Sequence, residues 1–307
     1  MINLGVLGMS PGNGHPYSFS AIINGYNGAA MDAAGWGGIH DYLRRRKSEE
    51  FGIEGVRVSH VWTQDYDESA RLSRASNVAT VCRNLDEMVD AVDGALIARD
   101  DYMLHRELAE PFLKRGKFVF VDKPLSLNVD DMIYFSPYLE NAQLMSCSGM
   151  RFARELDEIR NDWASFGKVK LIRATVLNDW RKYGVHMIDA LLGLTSLRPI
   201  NVSMAPVQGF ESRLIQLDNG SIFQVDNLGE TCKTFRFDIF GATKNGSFDL
   251  HDNFSAFKRL LEGFVQQIRT GTNTVPMQDT NDSMRLLIAG IRAQEEKRTV
   301  LLEEIKI

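Results

Sequence analysis

The chain has 307 residues, enough for one large or two ordinary domains, and 44% of them are hydrophobic, so it can bury an extensive core. Its formal net charge is −5, and its one basic run, YLRRRK at 42–47, is followed at once by acidic residues. This balance argues against nucleic acid or a membrane surface as a partner. We expect the basic run to be a solvated helix face, with an anion site as the alternative.

The cysteines and the N-terminus favour a reducing compartment. Cys82, Cys147 and Cys232 are odd in number and lack the spacing of a disulfide framework, a metal site or a redox motif. The first predicted strand begins without a secretory leader, and no apolar stretch reaches the roughly 18 residues of a membrane helix. The sequence therefore predicts a cytoplasmic protein with no membrane span and no metal.

Strands and helices alternate through the first half of the chain. Apolar runs predict strands at 3–8, 56–63, 92–98, 117–122 and 142–149, and helices are predicted at 18–26, 67–76 and 101–116. This alternation predicts a Rossmann-like, doubly wound parallel sheet whose ligand crevice lies at the carboxyl ends of the strands. We assign residues 1–149 to this domain.

The pattern changes from residue 150, where strands are joined by tight turns such as Asn219-Gly220. Strands are predicted at 168–177, 200–210, 212–228, 233–241 and 246–251, and helices at 185–194, 256–271 and 280–297, the last capped by Thr280 or Asn281. Residues 150–307 therefore predict an α+β domain with a large, mostly antiparallel open sheet. An exposed sheet face needs cover, so we expect a homodimer or homotetramer.

Three stretches, in this order, resemble the Gfo/Idh/MocA (glucose-fructose oxidoreductase, inositol dehydrogenase and MocA) family. They are the N-terminal strand–loop–helix, GKFVFVDKPLSLNVDDM (116–132), similar to the family's GKHVxxEKP segment, and WRKYGVHMIDALLGL (180–194), similar to its DxGxHxxD helix. GMRF (149–152) also matches the family's arginine–phenylalanine pair. The resemblance implies a domain that binds NAD or NADP, a second domain that holds a sugar or polyol, and hydride transfer at a carbinol carbon.

The resemblance also assigns catalytic residues. Lys123 matches the motif lysine, which contacts substrate and nicotinamide, and His186 matches the histidine that exchanges the hydroxyl proton. Such a reaction needs a proton acceptor beside the alcohol, and histidine is suited to that role near neutral pH. Asp189 lies three residues after His186 on the same helix face, so we expect it to orient the ring and to belong to the substrate site. His105 matches a further family histidine, with a structural role as the alternative.

The glycine-rich loop departs from the family pattern. Gly8 matches the first glycine, but Ser10 then takes the second position, and Gly12 and Gly14 fall further along the chain. A phosphate site needs backbone N–H groups and a helix dipole rather than one fixed spacing of glycines. We therefore predict a cofactor site that includes Gly8, Ser10, Gly12, Asn13 and Gly14, with a tight loop that binds no ligand as the alternative.

Three further positions belong to the predicted cofactor crevice. Gln64 stands near the place of the acid that binds an adenosine ribose, with Asp65 beside it. Gln64 and Thr63 are polar without being diagnostic, and no arginine stands clearly at the end of the second strand, so the choice between NAD and NADP stays open. Asp100 follows the third strand, where it or Asp101 caps the next helix or faces the crevice. Residues 28–55 enlarge the first crossover by about 30 residues, and we expect them to cover the active-site mouth.

The largest departure of this sequence from the family pattern lies among the residues predicted to bind substrate. Lys182 occupies the position four residues before His186 where the family has an aspartate, which reverses the local field. This change suits a base tuned toward neutrality or an anionic substrate such as an acidic or phosphorylated sugar, or it accompanies a loss of redox chemistry. Arg151 is a second predicted anion contact, and Trp180 either stacks on a sugar ring or lies in the core.

The sequence thus predicts an NAD(P)-dependent oxidoreductase that acts on a sugar, amino sugar or nucleotide-sugar derivative. The alternative is a non-redox protein on the same scaffold, either a sugar-binding or regulatory protein or a lyase. The irregular glycine loop and Lys182 are the features that favour this alternative.

Overall fold

A computed structural model describes residues 1–307, which form two compact units. The first unit comprises Met1–Leu125, Tyr134–Ser146 and Phe257–Val275, and the second comprises Ser126–Ile133, Cys147–Ala256 and Pro276–Ile307. The main division, after Ser146, lies close to the predicted boundary at residue 149. The sequence did not indicate that residues 257–275 would join the first unit.

The first unit contains a six-stranded sheet in which every pair of neighbours is parallel. Its strands are β1 (Ile2–Leu7), β2 (Val56–Trp62), β3 (Thr80–Val81), β4 (Gly94–Ile97), β5 (Phe118–Val121) and β6 (Leu144–Met145). The order across the sheet is β3-β2-β1-β4-β5-β6, so the winding reverses between β1 and β4. The predicted doubly wound parallel sheet is confirmed, and the reversal marks the place where ligands bind in such sheets.

The carboxyl ends of four strands are level with one another. Leu7 pairs with Trp62 on one side and with Ile97 on the other, and Ile97 pairs with Val121. The residues that follow these strands therefore leave the sheet along one edge. The registers bring together the glycine loop, the segment after β2, the ARDD segment (98–101) and the DKP segment (122–124).

Eleven α-helices accompany the two sheets. They are α1 (His15–Asn24), α2 (Gly28–Ala33), α3 (Gly37–Leu43), α4 (Tyr66–Ala75), α5 (Leu85–Val89), α6 (His105–Lys114), α7 (Val129–Glu140), α8 (Asp157–Asn161), α9 (Val185–Leu194), α10 (Asn253–Thr270) and α11 (Met277–Glu296). Short 3-10 helices span Ser48–Glu50, Tyr102–Leu104, Gly149–Phe152, Arg154–Leu156, Trp163–Phe166 and Leu302–Glu304, and Trp180–Gly184 form a π-helical turn. None of the helices combines the length and the apolar character needed to cross a membrane.

Aromatic side chains form the core beneath the first sheet. Phe19 of α1 lies edge-on to Phe120 of β5, with ring centroids 6.0 Å apart, and Phe120 lies 6.0 Å from Phe264 of α10. All three side chains are fully buried. Each such burial contributes roughly 2–3 kcal/mol, so this cluster fixes α1, and with it the glycine loop, against the sheet.

The second unit is built on a seven-stranded sheet. Its strands are β7 (Leu171–Val176), β8 (Pro199–Met204), β9 (Glu211–Leu217), β10 (Ile222–Asn227), β11 (Phe235–Phe240), β12 (Asn245–Asp249) and β13 (Val300–Leu301), in the order β12-β11-β7-β10-β9-β8-β13. Only the pair β7–β10 is parallel. The predicted, mostly antiparallel sheet is confirmed, including the hairpin at Asn219-Gly220, where Gly220 has φ +82°.

The start of α11 corrects a prediction. Thr280 and Asn281, which the sequence suggested as caps, are buried within the helix, and the helix begins at Met277 directly after Pro276. Proline already has a φ close to the helical value and lacks an N–H that the helix would leave unpaired. The proline therefore marks the start of the helix better than the polar residues that follow it.

Candidate active site

The loop after β1 contains a tight turn at its exposed end. The Asn13 amide donates to the Ser10 carbonyl at 3.1 Å, and Gly12 adopts φ +77° behind Pro11. Proline in the second position and a glycine with positive φ in the third are typical of a type II turn. No heavy atom lies within 4 Å of the place where a Cβ would stand on Gly12, so a ligand can approach the backbone here.

Gly14 has a different environment. A Cβ on this residue would lie 2.7 Å from the ring of Trp36 and would also overlap Ile39. Both neighbours belong to the long crossover between α1 and β2, which therefore packs directly on the loop. Gly14 is required by packing within the chain, and the part of the loop that is open to a ligand lies nearer to Gly12.

A cleft of about 430 Å³ opens beside the loop. It lies between residues 9–12 and residues 34–36 of the crossover, with Gln64, Asp65 and Glu68 on a third side. The predicted long crossover thus lines the cleft beside the glycine loop. Its predicted function, to cover the active-site mouth, stays a prediction.

Gln64 holds the start of the loop in place. Its side-chain nitrogen donates to the Met9 carbonyl at 2.8 Å, and its side-chain oxygen accepts from the Met9 amide at 2.9 Å. The buried Arg99 donates to the same side-chain oxygen of Gln64. Asp65 accepts from the amides of Asp67 and Glu68 and so caps α4. Of the two residues at the ribose position, Gln64 is therefore tied to the backbone, and Asp65 brings a carboxylate to the cleft.

Asp100 and Asp101 do not cap the helix that follows them. Asp100 accepts a 2.5 Å hydrogen bond from the Ser10 hydroxyl, and Asp101 forms an ion pair with Arg99. The 3-10 turn at Tyr102–Leu104 begins without a side-chain cap, so the predicted capping role is wrong. Nearby hydroxyl and guanidinium donors hold these carboxylates instead, and Asp100 joins the glycine loop to the end of β4.

Lys123 and His105, the two residues of the first unit that match a lysine and a histidine of the family, are both buried. Lys123 is 6% exposed at the end of β5. His105 is fully buried, and its ring nitrogens lie 2.9 Å from the Leu125 carbonyl and 3.0 Å from the Arg99 carbonyl. Burial lowers the pKa of His105. These contacts favour the structural alternative for His105, which connects the segments after β4 and β5.

Two further residues at this edge, His15 and Asp122, were not predicted from the sequence. The Nδ1 atom of His15 lies 2.5 Å from the Asp122 carboxylate, and the Asn13 side-chain amide donates to the same oxygen at 3.3 Å. Burial alone would raise the pKa of Asp122, but its attraction to His15 and Lys123 outweighs this effect and holds the pKa well below its usual range. The signal in the sequence was a histidine at the end of the glycine loop and an acid directly before the motif lysine.

In the second unit, His186 is oriented through Ser148. The Nδ1 atom of His186 lies 2.6 Å from the Ser148 hydroxyl, and the Ser148 amide donates to Asp189 at 2.6 Å. Asp189 was expected to orient the ring directly, and the structure corrects this, because the carboxylate acts on the backbone of Ser148. Burial raises the pKa of Asp189 to about 6, although the Ser148 amide and Arg151 oppose this rise.

The ring of His186 is further confined by aromatic neighbours. Tyr183 and Phe235 lie edge-on to it, with centroids 5.2 Å and 5.5 Å away.

Lys182 lies in the π-helical turn that precedes α9, where its amide donates to Asp179 at 3.0 Å and its side chain is exposed. Its ammonium group forms no ion pair, so its role as an anion contact stays a prediction.

Trp180 lies in the core, which was one of the two predicted alternatives, and the other, stacking on a sugar ring, is wrong. The side chain is 1% exposed and donates from Nε1 to the Leu287 carbonyl at 2.9 Å. The guanidinium of Arg213 lies 4.5 Å from the ring centroid, and Gly290 allows α11 to approach the ring closely. No face of the indole is left for a ligand.

Arg151 also points into the second unit. It forms a 2.5 Å ion pair with Asp279, which Arg198 contacts at 2.5 Å as well. The Arg151 side chain is 10% exposed, and its Nη1 atom is buried without a hydrogen-bond partner. A role as an anion contact stays a prediction, and it would have to use this nitrogen.

Comparison with known proteins agrees with the architecture. The family model described as an oxidoreductase family with an NAD-binding Rossmann fold (GFO_IDH_MocA) matches residues 34–146. A search of curated proteins finds no similar sequence. The cofactor predicted for the first unit thus agrees with the description of the matching family.

Solved structures share the fold over nearly the whole chain. Scyllo-inositol dehydrogenase from Lactobacillus casei, with NAD(H) and scyllo-inositol bound, superimposes with a TM-score of 0.76 at 15% identity, covering 99% of both chains. A myo-inositol dehydrogenase from Corynebacterium glutamicum gives 0.75 at 14% identity, covering 98% of this chain and 99% of that one. Myo-inositol dehydrogenase from L. casei gives 0.75 at 13% identity over 98% and 96%. The resemblance to the Gfo/Idh/MocA family that the motifs suggested is confirmed in residues 34–146 by the family model, and the solved structures show the same fold over nearly the whole chain.

Proposed function

We propose that this protein is an NAD-dependent oxidoreductase that acts on a carbinol group of a polyol, sugar or sugar derivative. The observation that carries the proposal concerns the edge of the parallel sheet where the strand order reverses. The glycine loop and Lys123 both follow strands whose carboxyl ends are level at this edge. In such sheets this edge is the dinucleotide site. The polyol class is taken from the inositols that the structural neighbours bind.

The residues of the loop fit a dinucleotide. Gly12 is open to approach, and the adjoining cleft of about 430 Å³ suits one end of such a molecule. When bound, a nicotinamide dinucleotide takes up or supplies a hydride. The chain itself must position the alcohol and move the hydroxyl proton.

We assign the proton transfer to His186, with Lys123 as the second group that contacts substrate. The Ser148 hydroxyl and two aromatic rings hold the imidazole in one orientation, as a general base requires. Lys182 remains our candidate for an anionic group on the substrate, because its ammonium group is exposed and has no ion-pair partner. An acidic or phosphorylated sugar is the substrate class that this residue favours.

We propose NAD rather than NADP as the cofactor. The cleft beside the loop is lined by Asp65 and by Glu68, whose carboxylate is paired with Arg71, and no arginine or lysine lines the cleft itself. Carboxylates suit the ribose hydroxyls of NAD and repel the additional phosphate of NADP. We keep the expectation of a cytoplasmic homodimer or homotetramer as part of this proposal.

The proposal is tested by titrating the purified protein with NADH and NADPH separately, following nicotinamide fluorescence. We expect saturable binding of NADH and weaker binding of NADPH. With NAD and a panel of inositols and sugar acids, turnover should appear in the wild type, and H186A and K123A should each lose two or more orders of magnitude. Wild-type rates in both variants would refute the assignment of the site.

One observation favours the non-redox alternative. Trp36 and Ile39 fill the space on the Cβ side of Gly14, so a diphosphate cannot approach the third glycine of the loop from that side. A sugar-binding protein or a lyase on this scaffold would bind a sugar without binding NADH. Binding of a sugar with no response to either dinucleotide would therefore establish the alternative.

A further inference from the structure

The start of α1 offers few backbone donors to a diphosphate. Four N–H groups at the beginning of a helix ordinarily lack partners, and here they belong to residues 14–17. The His15 amide donates to the Asn13 side chain at 2.9 Å, and Pro16 has no N–H. Half of the usual anion-binding donors are thus unavailable, so a dinucleotide at this loop needs another donor.

His15, the first residue of α1, has a side chain that can supply such a donor. It is 20% exposed, and its second ring nitrogen, Nε2, has no hydrogen-bond partner. The ring stacks on Phe19, with centroids 5.0 Å apart, and lies edge-on to Phe257 at 4.9 Å. These contacts and the Asp122 carboxylate fix the direction of the imidazole.

Charge also favours a contact between His15 and an anion. The Asp122 carboxylate is 3% exposed and lies at the same sheet edge as the loop. An uncompensated carboxylate there would repel a diphosphate. Hydrogen bonding to Asp122 assigns a proton to Nδ1, so a hydrogen bond from the ring to a phosphate oxygen has to use Nε2 and requires a proton on that nitrogen.

We propose that His15 donates from Nε2 to the diphosphate of the bound dinucleotide, with Asp122 holding the ring through Nδ1. This inference rests on the proposed function, because it concerns the cofactor site of that activity. It makes His15 a binding residue that replaces backbone donors of the helix. The irregular glycine loop is then a working cofactor loop in which a side chain has taken over part of the backbone's role.

The test compares ADP with adenosine, which differ by the diphosphate. Calorimetric titration of the wild type should show a clear preference for ADP. H15N retains an amide where Nδ1 contacts Asp122 and removes the Nε2 donor, so we expect the ADP preference to fall about tenfold or more with adenosine affinity unchanged. H15Q places an amide near the Nε2 position and should recover part of the preference.

His40 supplies a matched control, because its Nδ1 atom also lies 2.5 Å from a carboxylate, that of Asp32. H40N should leave the preference for ADP unchanged. The proposal is overturned if H15N keeps the wild-type preference within about twofold, or if H15N weakens adenosine and ADP equally, which would indicate a packing role. NADH binding by the wild type distinguishes that result from failure of the proposed function, since a protein that binds neither NADH nor ADP refutes both.

Discussion

Replacing Asp189 by asparagine is expected to stabilise the protein at neutral pH. The carboxyl group is 3% exposed, and burial raises its pKa from an ordinary 3.8 to about 6. Each tenfold change in proton affinity is worth about 1.4 kcal/mol, so keeping Asp189 ionised in the folded chain costs about 3 kcal/mol. Asparagine has no charge to bury and keeps an oxygen that can accept from the Ser148 amide.

The stabilisation should depend on pH in a defined direction. An acid whose pKa is higher in the folded chain binds its proton more tightly there, so its contribution to stability is fully present below about pH 4 and is lost as the pH rises through 6. The D189N variant has no such loss. Its advantage in the free energy of unfolding should therefore grow by about 1–3 kcal/mol between pH 4.5 and 7.5.

Urea unfolding of the wild type and D189N at several pH values measures this difference. E211Q is the matched control, since burial raises the pKa of Glu211 but hydrogen bonds from Arg213 and Gln294 outweigh it and give a net lowering. The E211Q variant should therefore become less stable relative to the wild type as the pH rises toward 4.5, the ordinary pKa of glutamate, and should change little further up to pH 7.5. A D189N advantage that is constant or shrinks with pH would refute the account of Asp189 as a buried acid.

Four further outcomes are expected. S148A should lower turnover and broaden its pH profile, because His186 loses its 2.6 Å partner, while NADH affinity stays unchanged in fluorescence titrations. D65N keeps the cap of α4 but removes a charge from the cleft, so the preference for NADH over NADPH should narrow several-fold in the same titration. W180F should lower the free energy of unfolding by about 1–3 kcal/mol without changing cofactor affinity, as expected of a core side chain. G14A should be strongly destabilising in thermal unfolding, because its added methyl group has no space.

The sequence predicted the arrangement of the fold wherever the signal is local. The alternation of strands and helices was sufficient to predict the parallel sheet, and the Asn219-Gly220 pair was sufficient to predict one hairpin. The start of α11 was misplaced because Pro276 competed with polar residues that also resemble caps. The return of residues 257–275 to the first unit had no local signal, since it depends on which apolar surface that segment covers.

The site was less predictable because its contacts join distant parts of the chain. Ser148 and His186 are 38 positions apart, and His15 and Asp122 are 107 apart. Spacing on one helix suggested that Asp189 would orient His186, but it could not show that Ser148 lies between them. Trp180 likewise has the same residue type whether it stacks on a sugar or fills a core.

The irregular glycine loop now has a physical explanation. Gly12 serves a turn with positive φ, and Gly14 makes room for the crossover that packs on it, so the glycines no longer follow the spacing of a loop that wraps a diphosphate. The crossover closes the Cβ side of Gly14 to a ligand. A side-chain N–H can replace the backbone donors that the start of α1 lacks, and His15, held by a buried carboxylate, is the residue proposed for that role. The departure from the family pattern is therefore compatible with cofactor binding.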